Sequence, residues 1–478
     1  MRRPHLVAAA VFTVLAVLPC ERTLAQAKEL TLTASPEAIA HFRQGWLASD
    51  LNNQSEALKH FKMASDADPS FGLARVMYRY SGAANDTKES TDDVNRAVVD
   101  AAKASTAELL LTLAFREAVV VGTRPAAILL RAASELIPTD PTIATLAFYS
   151  DPPADPKAQL TALKGFAARF PDYASIYNGL AYAAWAANDH PAGLDAARMQ
   201  VKLLPDNPNS HDTYAELLQW DGNYAEALKH YGDAVKLDPA FVEGYRGMAE
   251  VEALQGHYDK ARVYANQAIS GASQPGLKLF YMRDIAGLFA LAGDTKAMQA
   301  QLTVVANEAK AAGNNRIAAV MYGQLAASSA NMGDGKAAHA YLDMARSMNY
   351  TDPDAQISYF TTMTHAMLKH WEPANAALAA AKAAPELGFK QRVMAAEAYL
   401  ATAQGKPADA VALLASADQT DMVVAGRLAE AYAALGRTED AAKMQQQILD
   451  SRTLVLADFG ATNARARARK SIKVAQKK

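Results

Sequence analysis

Two stretches of this chain are written to one pattern. Residues 55–71 read SEALKHFKMASDADPSF, and residues 225–241 read AEALKHYGDAVKLDPAF. Each carries alanine, an aromatic four positions on, alanine three after that and proline five later: Ala57, Phe61, Ala64, Pro69 and Ala227, Tyr231, Ala234, Pro239. Side chains three and four apart share one helix face, so the small and aromatic residues form a single stripe. Proline cannot continue a helix and ends the unit. The small landmark can be followed at Ala57, Ala126, Gly193, Ala227, Ala261, Ala338, Ala376, Ala410 and Ala441, with weaker units around Thr91, Leu160 and Met298, in steps of 34, 35, 34, 33, 34, 34, 37, 40, 38, 34 and 31. A period near 34 that recurs in this way restricts the chain to stacked two-helix units.

In the unit starting at Pro208, Ala215 is the small residue of the first helix and Gly222 closes the turn to the second, where a left-handed backbone suits glycine. Together with the stripe and its proline, this resembles the tetratricopeptide repeat, and the resemblance covers nearly the whole chain after residue 27. The match is degenerate. Of the family's first-helix Trp, Gly and Tyr, only the glycine is met, at Gly45, with alanine elsewhere (Ala114, Ala181, Ala215, Ala249). Units at 72–106 and 140–172 match poorly. The resemblance implies an all-α chain, an α-solenoid of about 12 antiparallel hairpins wound as a right-handed superhelix. Its domain plan is a solenoid over 28–275 with its best units at 38–71, 107–140, 174–207, 208–241 and 242–275. Longer, degenerate hairpins follow over 276–390, then C-terminal units over 391–450, with the units at 38–71 and 422–450 as caps.

Composition agrees with helix: 51% of residues are hydrophobic, and no run alternates β-branched residues as a strand would. Residues 1–27 read as a secretory leader. Arg2 and Arg3 precede a 13-residue apolar run, Leu6 to Leu18, and Ala25-Gln26-Ala27 is a small-x-small cleavage site. That run falls short of the roughly 20 residues that cross a bilayer. Cleavage would remove Cys20, the one cysteine, and with it thiol chemistry. The expected location is the periplasm or outside a bacterial cell.

Charge is unevenly placed. The total is −2, yet residues 463–478 carry seven cations and no acid. Setting aside those seven, and the three arginines and one glutamate of the leader, leaves 38 basic and 49 acidic residues, a net −11. Residues 451–478 are expected to be a basic, disordered tail, since ARARARK alternates alanine with arginine and offers no amphipathic helix face. Contact with an anionic membrane and docking back onto the acidic body stay open for it.

No catalytic, cofactor or metal residues are assigned. The chain lacks GxGxxG after a strand, GxxxxGK[ST], GxSxG and HExxH. His41 and His60 match His211 and His230 by repeat register, which explains their pairing without a metal. His365 and His370, five apart, belong to different faces of a helix. In the tetratricopeptide family the first helices line a concave groove that receives peptides. Carried over by register, the groove here presents Asn178, Tyr182 and Trp185, then Asn209, Asp212, Glu216, Gln219 and Trp220, then Glu243, Arg246 and Glu250. The family's carboxylate clamp uses Lys, Asn and Arg at these positions, and Asp212 and Glu216 stand there instead. The implied partner is a protein or peptide, basic or amphipathic, with no nucleic acid. A polysaccharide or polymer-export role, and an enzyme with its site in 276–390, are the alternatives. The oligomeric state is open.

Overall fold

A computed structural model describes residues 29–51, 53–82, 88–121, 125–272, 274–384 and 389–475; the leader lies outside the described residues. Among them the chain is 78% helical, with 25 helices and no strand. Twenty-four of these follow as twelve successive helix pairs, all but Pro141–Ser150 with Pro156–Arg169 packed along each other, and one further helix, Phe459–Ala475, follows the last. The chain divides into two compact units, residues 1–205 and 206–478.

Among the described residues, six of the second helices are capped by a side chain, Asp155 included. Asn53, Asp189, Asn223, Asp294 and Asp334 accept a bond from the amide three residues on, which satisfies an end donor the helix cannot. In most hairpins the landmark lies four residues after the cap and gives its amide to the cap's carbonyl, as in Ala227 to Asn223 at 3.0 Å; at Asp155 that amide is Gln159's and the buried landmark Leu160 is one further on. The rule corrects the register at two places. In the hairpin after Gln356 the buried landmark is Ala374, and Ala376 is exposed. In the third hairpin Ala126 is itself the cap, and Leu130 is buried. Second-helix aromatics cross close to first helices, which need small residues there: a Cβ on Gly45 would stand 2.8 Å from Phe61, and one on Gly247 2.2 Å from Tyr231. Replacing the fully buried Ala227 by Trp is expected to loosen the Pro208–Leu237 hairpin by about 1–3 kcal/mol or more, read as a lower urea midpoint.

In the first unit the poorly matching repeats are the short ones, with helices Gly72–Tyr80 and Pro141–Ser150 of 9 and 10 residues. The end of the first helix, Pro36–Asp50, reaches far along the chain. The Asp50 carboxylate accepts from Thr142 Oγ1 at 2.8 Å, and its carbonyl accepts from Ser175 Oγ at 2.8 Å. Burial pushes the Asp50 carboxyl up to about 6.

In the second unit the long steps come from long helices. Pro275–Ala292, Thr295–Ala311 and Asn315–Asn331 have 18, 17 and 17 residues, against 14 in the two hairpins before them. Within residues 276–390 the stretch ends at Asn331; Gln356–Met367 and Trp371–Lys382 have 12 residues each.

The expected disordered tail is a structural element. Leu454 and Leu456 are 2% and 0% exposed, packed with Ala249, Ile285, Leu288 and Leu291. Phe459–Ala475 then lies on the last hairpin, burying Ala464 and Ala468 against Ala425 and Ile448. The alternation of Ala and Arg concealed a second spacing: Ala461, Ala464 and Ala468 are three and four apart and make a narrow apolar stripe. The arginines flank it with purpose. Arg465 donates to the carbonyls of Ile448, Leu449 and Ser451 at 2.8–2.9 Å, capping the C-terminus of the Thr438–Asp450 helix where a cation is favoured. The cap of the stack is this helix, and the 422–450 hairpin is covered by it.

Candidate functional site

The residues assigned to a groove fall into both units. Asn178, Tyr182 and Trp185 belong to the first, half-buried along one face of Ala174–Ala186, with Trp185 stacked on His190 at 4.0 Å. The remaining eight belong to the second unit, and there five of them join one electrostatic cluster.

Its centre is Arg246, on the helix Val242–Gln255. Glu250, one turn on, pairs with it at 2.7 Å, and Asp284, from Pro275–Ala292, approaches it at 3.4 Å. Glu216 acts electrostatically on Arg246 and Glu250, and Asp212 interacts with them and with Glu216 and Glu243. Five carboxylates thus belong to one electrostatic group, of which Glu250 and Asp284 pair with the guanidinium. Asp284 is 2% and Glu250 8% exposed, Asp212 and Glu216 are half-buried, and Glu243 is exposed, so the cluster has a floor and an open rim.

The physical consequence is protonation. Burial pushes Glu250 up to about 7, with Arg246 opposing and Asp284 and Glu216 adding repulsion. Burial likewise pushes Asp284 up to about 6 against Arg246 and Arg283. Asp212 is held well above the carboxylate range by burial and by Glu216 and Glu243. Oδ1 of Asp284 has no hydrogen-bond partner among the described residues. The Phe280 ring completes the wall, with the Arg246 guanidinium 5.1 Å from its centroid.

Gln219 departs from its groove assignment. It is 1% exposed and accepts from Tyr231 Oη at 3.1 Å, while its side chain also bonds Glu250. It supports the cluster from within the hairpin. Asn209 and Trp220 are half-buried on the same helix. Sequence register missed Asp284, which sits one hairpin further on, in the stretch where the period lengthens.

The histidines come together more than spacing suggested. His211 and His230 meet Nδ1 to Nδ1 at 3.0 Å, and the Asp233 carboxylate brings a third donor, all within 4.8 Å. The same pair recurs as His41 and His60 at 3.3 Å, where register puts Met63 in place of the acid. The shared feature is a histidine contact between the helices of a hairpin. His365 and His370 also meet, at 5.9 Å between centroids, because one ends a helix and the other caps the next.

No family model and no curated protein matches the chain. Among solved structures, yeast Tom70 is similar over 92% of this chain and 92% of its own, at 11% identity and a TM-score of 0.43. A tetratricopeptide repeat protein from Parabacteroides merdae is similar over 69% of this chain and 98% of its own, at 12% identity and 0.32. PilF of Pseudomonas aeruginosa is similar over 44% of this chain and 90% of its own, at 11% identity and 0.33. The fold assignment rests on the chain's own twelve helix pairs, their caps and their period: it is an α-solenoid of tetratricopeptide type.

Proposed function

We propose that this protein is a non-catalytic scaffold of the bacterial cell envelope that holds a basic polypeptide segment at the acidic cluster of its second unit. The observation that carries the reading is the excess of carboxylates around Arg246: Asp212, Glu216, Glu243, Glu250 and Asp284, against Arg246 and, at Asp284, Arg283. Lysine or arginine side chains arriving at the Glu243 rim would relieve that imbalance, and Phe280 offers an apolar edge beside it. Export is supported by the leader-like residues 1–27.

A photo-crosslinking residue placed at position 243 tests this in cells. The expected product is an adduct with a polypeptide, lost when Asp212→Asn and Glu216→Gln are added. Adducts with glycan alone would replace this reading with the polymer-binding one. An adduct indifferent to the two neutral substitutions would move the site elsewhere.

A further inference from the structure

The second unit also holds a cavity of about 320 Å³ beside the Pro275–Ala292 helix, next to the acidic cluster and sharing Phe280 with it. Phe280 and Arg283 line it, while Asp284 belongs to the cluster. The chain's own C-terminal segment forms one wall, through Val455, Asp458, Phe459, Asn463 and Arg467. Ala457 is the partition: its carbonyl accepts from Arg283, and its backbone bonds the Asp284 carboxylate.

The lining has two characters. Phe280, Tyr359, Phe360, Phe389 and the thioethers of Met298 and Met363 make an adaptable apolar wall. Four arginines enter it: Arg283, Arg392, Arg427 and Arg467. Arg392 is matched by Asp421 and Asp458. Arg427 and Arg467 share a single carboxylate, Glu430, at 2.7 and 3.4 Å. Arg283 makes no ion pair among the described residues, and its Nε has no hydrogen-bond partner. Gln324 lines the same space, 8% exposed, with Oε1 unpartnered. Asp284 acts on Arg283 as well, so the shortage lies at Arg427, only 8% exposed, and Arg467, which have Glu430 alone between them. A buried charge short of a partner is costly, and burial holds Arg283 below the usual arginine range, with Asp284 opposing. An anion would complete the set.

We propose that this cavity is a binding site for an amphiphilic monocarboxylate, a small fatty-acid-like molecule. Its carboxylate sits between Arg427 and Arg467 with Arg283 in reach, and its apolar body lies on the Phe–Tyr–Met wall. The volume is that of a small-ligand site, which in general spans about 300–1,000 Å³ and combines apolar walls with a few polar anchors.

Decanoate is the probe and decan-1-ol its neutral counterpart, titrated calorimetrically into the full chain. Decanoate is expected to bind at one site, and decanol at least tenfold more weakly, since a charge-assisted hydrogen bond contributes about 1.5–3 kcal/mol, a factor of about 10–150. Arg467→Gln is expected to weaken decanoate about tenfold or more while the helical signal is kept, because Arg427 still holds Glu430. Met363→Trp, which fills the apolar wall, is expected to abolish binding of both probes. Equal affinity for acid and alcohol, no binding of decanoate, or binding unaltered in Arg467→Gln would each overturn the proposal.

Discussion

Changing Gly287 to alanine is expected to destabilise the second unit, although in mid-helix that exchange ordinarily stabilises by about 0.5–1 kcal/mol. The sign reverses because a Cβ at 287 would lie 1.8 Å from the Leu456 carbonyl oxygen, a backbone atom with no freedom to swing away. Either the C-terminal segment leaves its seat or the Pro275–Ala292 helix shifts. Leaving would expose Leu454 and Leu456, both in the core with Ile285 and Leu288. Leu456→Ala, which cuts a fully buried side chain, is expected to cost about 2–5 kcal/mol by lost transfer and cavity terms. Hydrogen exchange should show where the loss falls, with protection dropping through Phe459–Ala475 and its partner helix Met422–Ala434 in both variants. A segment that merely rested on the surface would give a slight gain for Gly287→Ala and a change within about 0.5 kcal/mol for Leu456→Ala.

The second large effect is on pH. Glu250 and Asp284 titrate near 7 and 6 in the folded chain, against ordinary values of 4.5 and 3.8. Each holds a proton that the unfolded chain would release, so their contribution to stability is fully present below about pH 4 and is lost as pH rises through 6 and 7. At about 1.36 kcal/mol per unit, either group alone changes stability by about 3 kcal/mol. The two share Arg246, so their effects do not add. Glu250→Gln is expected to raise the urea midpoint at pH 8 and leave it near wild type at pH 4.5. Ligand binding runs the other way. Between pH 5 and pH 8 the cluster gains negative charge, so a cationic peptide is expected to bind more tightly as the free unit becomes less stable. A midpoint for Glu250→Gln that falls equally at both pH values would mean that the Arg246 pair outweighs the burial.

The fold was legible in the sequence where local chemistry repeats. Cap, landmark and proline recur every 34 residues because each hairpin solves one packing problem, and Ala57, Ala227 and Ala261 carry that solution openly. Register slipped at Ala126 and Ala376, where alanines crowd and no single one marks the crossing; the capping backbone bond settles it. The tail misled for a different reason. A period of two in ARARARK masked alanines at three and four, and the groups it packs against, Gly287 and Ala425 among them, are remote in sequence. Much of the candidate site was legible because Asp212, Glu216, Glu243, Arg246 and Glu250 follow the repeat. Asp284 was not, since its helix is longer than the repeat. The inward role of Gln219 was hidden because a glutamine's burial depends on partners, here Tyr231 and Glu250, that periodicity does not name.

The most direct measurement is a fluorescence-anisotropy titration of a labelled, alternating Lys–Leu peptide against the full chain and its Glu243→Lys variant, at pH 8 and low salt. The account expects saturable binding to the wild type, weakened about tenfold or more by reversing that exposed rim charge, and further weakened at pH 5. Equal affinity for both chains, or binding that does not change with pH, would contradict the assignment of the acidic cluster as the place where a basic partner is held.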